Sequence, residues 1–76
     1  MVHAMVLEWL AAEVMEELPV RARGEVAEVL VEVARHPEWW PAPGGEETVD
    51  FFGPYCWASV VAYADGLEVR DVGWCG

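Results

Sequence analysis

Apolar and polar positions along the chain change their period once, near the middle. In residues 4–18, AMVLEWLAAEVMEEL, Leu7, Leu10, Val14 and Leu18 recur at spacings of three and four. That spacing predicts a helix with one apolar stripe, and Glu13, Glu16 and Glu17 fall largely off it. Pro19 stops this helix or opens the next one at its first position. Residues 20–35, VRARGEVAEVLVEVAR, predict a second helix that buries Val26, Val29, Leu30 and Val33. Glu25, Glu28 and Glu32 stand at i, i+3 and i+7, so they form an acidic stripe on another of its faces. The short connection at Pro19 predicts an antiparallel helical hairpin over about residues 4–35.

His36-Pro37 ends the second helix, because a residue before proline avoids helical geometry. The stretch HPEWWPAPGG, residues 36–45, reads as a loop by its prolines and glycines. Beyond it the period becomes two. Residues 48–52 predict a short strand and Gly53-Pro54 a turn. In residues 55–63, Tyr55, Trp57, Ser59, Val61 and Tyr63 alternate with Cys56, Ala58, Val60 and Ala62, as in a central strand apolar on both faces. Asp65-Gly66 is a hairpin turn signal, and residues 67–74 predict the return strand. The expected architecture is a single α+β domain over residues 1–76, a two-helix hairpin packed on a three-stranded antiparallel β-meander. The hairpin covers about 4–35, the loop 36–46 and the meander about 47–75.

Charge changes this picture from architecture to partners. Fourteen acidic residues against four arginines and no lysine give a formal net charge of −10. Such a field repels phosphate backbones and anionic lipid, which argues against direct nucleic-acid or membrane-surface binding. It attracts a protein partner with a basic surface, although acidity also serves solubility alone. An apolar fraction of 55% argues against a disordered acidic tail, and five tryptophans exceed what so small a core needs. No apolar run reaches the ~18 residues of a membrane span. The N-terminal stretch lacks a basic region and a cleavage site, so a cytoplasmic location with Cys56 and Cys75 reduced is expected.

Candidate chemistry is sparse. Ser59 is the only serine and lacks a nucleophile elbow, while Cys56, Cys75, His3 and His36 lack metal-site spacing. Calcium-loop and phosphate-loop patterns are also missing, so no catalytic residue, metal or cofactor is expected. Two features remain. Trp39-Trp40 sits in a proline-bounded loop where consecutive rings point apart, which makes the pair a candidate binding anchor. Glu25, Glu28 and Glu32 form the second candidate, an acidic face that mimics spaced phosphates.

The segments ELPVRARGEVAEVLVEVARHP (residues 17–37) and GPYCWASVVAYADGLEVRDVG (residues 53–73) resemble the RelE/ParE family of bacterial toxins, the first its second helix and the second its central hairpin and final strand. The resemblance implies an opening strand, for which residues 2–7 are the only candidates. For a member that cuts messenger RNA on the ribosome, it also implies basic and aromatic functional residues on the sheet, roles for which Arg70 and Tyr63 are the candidates. The leading expectation is nevertheless a small acidic protein-binding module, such as an inhibitor of a nucleic-acid-binding enzyme of the kind phages and mobile elements encode. The alternatives are a RelE/ParE-like toxin–antitoxin component and a homodimeric structural module.

Overall fold

The computed structural model describes residues 4–75. The chain runs β1 (Ala4–Leu7), α1 (Trp9–Glu17), α2 (Val20–Arg35), a 3-10 turn (Pro37–Trp39), β2 (Val49–Phe52), β3 (Cys56–Tyr63) and β4 (Gly66–Trp74). The strands form one sheet in the order β1-β4-β3-β2, with β1 parallel to β4 and the other pairs antiparallel. The α+β class and the two helices stand as the sequence predicts. The three-stranded antiparallel meander does not, because a fourth strand makes the sheet mixed.

That strand occupies residues whose spacing predicts the start of a helix. Met5 and Leu7 lie opposite Leu67 and Val69 and pack against the core, while Val6 between them is exposed. Four residues are too few to show a period of two, and the partner strand lies far along the chain. Glu8 marks the handover. Its N–H donates to the Val69 carbonyl at 2.9 Å, as a strand residue would, and its carboxylate accepts the Leu10 N–H at 3.1 Å as a helix cap. Starting the helix at Trp9 also rotates its buried face. Ala11 is buried, Val14, Met15 and Leu18 pack against the core, and Leu10 is exposed.

Helix α2 keeps the predicted bounds and buries Ala22, Val26, Leu30 and Val33. Helix α1 lies against β4, and α2 against β3 and β2. Both cover the same side of the sheet, where Cys56, Ala58, Val60, Val69 and Val72 complete the core. The β3–β4 hairpin turns through Ala64 and Asp65, since Tyr63 already pairs with Gly66. Glycine therefore opens β4 instead of serving the turn, whose residues keep negative φ. A bulge pairs Ser59 with Asp71 and Val60 with Val69, leaving Arg70 as the extra residue. It reconciles an uneven apolar spacing, for Leu67 and Val69 before it and Val72 and Trp74 after it all reach the core side.

The loop after the 3-10 turn lies along β3, where Pro43 bridges Ala62 and the N–H groups of Gly44 and Gly45 both reach the Ala62 carbonyl. Gly45, at φ 73°, meets the Tyr63 ring so closely that a Cβ would sit 2.3 Å from it. No described helix is long and apolar enough to cross a membrane.

Candidate functional site

Helix α2 turns its charged face away from the core and toward β2, and the 3-10 turn places Trp39 at the end of the space between them. The result is an open groove of about 300 Å³. Val29, Val33, Phe51 and Trp39 make its apolar surface, Phe52 and Pro54 its rim, and Glu25, Glu28 and Glu32 run along one wall. The structure thus brings together four of the five residues singled out in the sequence. Among the described residues, no basic one lines the groove.

The three glutamates differ in what they are free to do. Glu25 is half-buried, and its Oε2 accepts the Tyr55 N–H at 2.7 Å. It fastens α2 to the β2–β3 turn, where a Cβ on Gly53 would lie 2.9 Å from the same oxygen. Cys56 lies beneath this contact. Burial, and then the hydrogen bond and charge of Glu25, push its thiol up to about 11. Glu32 bonds Arg35 at 3.2 Å and approaches His36 Nε2 at 3.6 Å, both in exposed pairs that hold it weakly. Glu28 is exposed and makes no hydrogen bond or ion pair among the described residues.

The paired tryptophans part ways. The Trp40 Nε1–H donates to the Val33 carbonyl at 2.6 Å, and its ring packs half-buried against the core. Trp40 therefore closes the end of the core and is absent from the groove. Trp39 remains 45% exposed, stacked on His36 at a centroid distance of 4.0 Å and tilted to Phe51 at 6.5 Å. His36 is also 3.0 Å from Glu38. Glu38's own backbone N–H, and then this ring, hold its carboxyl below the usual range. Phe51 and Phe52 are groove residues that the sequence analysis did not single out. The signal was their place in a short alternating strand, which sends one ring to each side of the sheet.

A second cluster lies on the helix-free side of the sheet. Arg70 donates from Nε to Glu68 at 2.6 Å and from Nη2 to the Tyr63 hydroxyl at 2.7 Å. Tyr63, followed by Glu68, raises the Arg70 pKa and so favours its charged form. Nearby, Ser59 donates to Asp50, and Asp71 accepts the Val72 N–H at 2.9 Å. His3 lies outside the described residues, and no metal-holding cluster of His, Cys, Asp or Glu is found among those described. Comparison with protein-family models, with curated proteins and with solved structures returned no match in any of the three.

Proposed function

We propose that this chain is a protein-binding module whose groove between α2 and β2 receives a basic, partly apolar segment of another protein. The observation that carries the reading is the groove's lining: an apolar surface with three glutamates on one wall and no basic residue among those described. An apolar side chain entering it loses water, while a flanking arginine or lysine meets Glu28, which has no partner to give up among the described residues. Trp39 offers a half-exposed ring at the end of the groove, a residue type that often dominates binding energy. The net charge of −10 steers such a partner over longer distances. Enzymes that handle nucleic acid carry basic phosphate-binding surfaces, so inhibition of one of them is the form of the activity this charge favours.

The test is capture from a lysate of the source organism at low and high salt, with wild type beside a Glu28→Gln/Trp39→Ala variant. A basic protein held by wild type at low salt, shed at high salt and lost by the variant is the expected result. Equal capture by the variant would place binding elsewhere on the molecule.

A second reading, a RelE/ParE-like toxin–antitoxin component, draws support from two observations. One is β1, Ala4–Leu7, the opening strand that the resemblance implies and that residue spacing alone does not. The other is Arg70 beside the Tyr63 hydroxyl on the open sheet face. An active member would act as a ribosome-dependent endoribonuclease and arrest growth on expression. Unimpeded growth during strong overexpression sinks that activity.

A further inference from the structure

The groove is bordered by the free edge of β2, and the hydrogen bonding of that strand says which of its groups are open. The Gly53 N–H donates to the Cys56 carbonyl at 2.9 Å, which makes this the hydrogen-bonded pair at the end of the ladder. In an antiparallel pair, bonded and non-bonded positions alternate. With Phe52 opposite Trp57, Phe51 opposite Ala58 and Asp50 opposite Ser59, the N–H and C=O of Phe52 and Asp50 therefore point away from β3. β2 is the last strand of the sheet on this side, and no other described backbone group bonds to this edge. Four open backbone groups lie along the border of the acidic groove.

We infer that the partner binds as an extended strand, added to the edge of β2, with basic and apolar side chains in alternation. This rests on the groove reading above and names its mode. A strand placed about 4.8 Å beyond β2 sends alternate side chains to the two sides of the sheet. On the helix side they enter the groove over Phe51 and Trp39, beneath Glu28. On the other side they pass Asp50 and Phe52, the latter 74% exposed and paired with Trp57. The Trp57 ring leans the other way, against Gly73 of β4, where a Cβ would be 2.1 Å from it, so the exposed ring beside Asp50 at this edge is that of Phe52. A guanidinium stacks on the Phe52 ring and meets the Asp50 carboxylate. Charge selects the occupant. A second copy of this chain would bring Glu28 and Asp50 against their own counterparts in a molecule of net charge −10. A strand with its basic residues on either side meets acid there, Glu28 on the helix side or Asp50 on the other.

The probe is a peptide of about seven residues alternating arginine and valine, long enough to follow β2 at ~3.3 Å per residue. Two further versions carry N-methyl groups on alternate residues, in one register or the other. The parent peptide should slow amide exchange at Asp50 and Phe52 by about tenfold or more, and one N-methylated register should lose binding by about tenfold while the other keeps it. If both N-methylated peptides bind as tightly as the parent, the strand mode is overturned and the groove reading stands. If no peptide binds near 1 mM, the strand mode is also overturned. The groove reading then depends on its own test with Glu28 and Trp39. Slowed exchange at the same amides that grows with protein concentration, without peptide, would show a second copy on this edge and overturn the basic partner.

Discussion

The groove between α2 and β2 and the open face around the β4 bulge are both rich in polar groups, yet they spend them differently. On the open face nearly every charge is answered within the fold: Arg70 by Glu68 and Tyr63, Asp50 by Ser59, and Asp71 by the Val72 N–H. At the groove the answers thin out along a single helix, from Glu25 bound to the turn, through Glu32 in exposed pairs, to Glu28 with none among the described residues. Net charge is therefore a poor guide to where a partner binds. What matters is the carboxylate left over beside apolar surface, because it gains a counter-charge without giving up a contact inside the fold.

The sharpest way to break this comparison is at the adjacent tryptophans. Trp40→Ala removes a ring packed on the core and should lower stability by about 3 kcal/mol in urea denaturation. Trp39→Ala should change stability by less than about 1 kcal/mol. It should instead cost about 2 kcal/mol of partner affinity, roughly thirtyfold, in a titration with the captured partner. If Trp39→Ala destabilised the fold as much as Trp40→Ala, the ring would belong to the core and the groove would lose its anchor.

Next comes the helix stripe. Glu25→Ala deprives the Tyr55 N–H of its acceptor and should cost about 1 kcal/mol, whereas Glu28→Ala should stay within about 0.5 kcal/mol. Their effects on the partner should reverse, with Glu28→Ala weakening binding and flattening its salt dependence. On the open face, Arg70→Gln should leave the urea midpoint nearly unchanged, because its pairs are exposed, and should leave partner affinity unchanged. A loss of affinity in Arg70→Gln would move the interface to the open face.

Parts of this arrangement were legible in the sequence because they depend on local spacing. Helix α2 keeps its bounds since Val26, Leu30 and Val33 need only the helical period, and the same period placed its three glutamates on one side. β3 follows from strict alternation. What escaped depends on contacts across the chain. β1 is a strand because β4 offers it a parallel partner, and the bulge at Arg70 exists to bring Val72 and Trp74 back to the core side. Nothing in the order Glu25, Glu28, Glu32 reveals that the first is anchored and the second is free. That distinction comes from the Gly53–Cys56 turn folding back onto the helix. A different contact separates Trp39 from Trp40, since only one of two adjacent rings can reach the Val33 carbonyl near the end of α2.

The smallest effect concerns the two thiols at that turn. Cys56 is buried beside Glu25, and its pKa stands at about 11 against an ordinary 9.0, whereas Cys75 is exposed. A raised pKa means that the native state holds the proton more tightly than the unfolded chain does. The stability this contributes is complete below pH 9.0 and is lost as pH climbs toward about 11. Urea midpoints should therefore fall across that window in wild type and fall less in Cys56→Ala. Iodoacetamide at pH 9.0 should label Cys75 well before Cys56, because only native molecules that open at the turn expose a reactive Cys56 thiolate. Equal labelling rates would mean that the Glu25 contact opens readily. The first glutamate of the stripe would then be as available to a partner as the second, and the contrast along α2 would collapse.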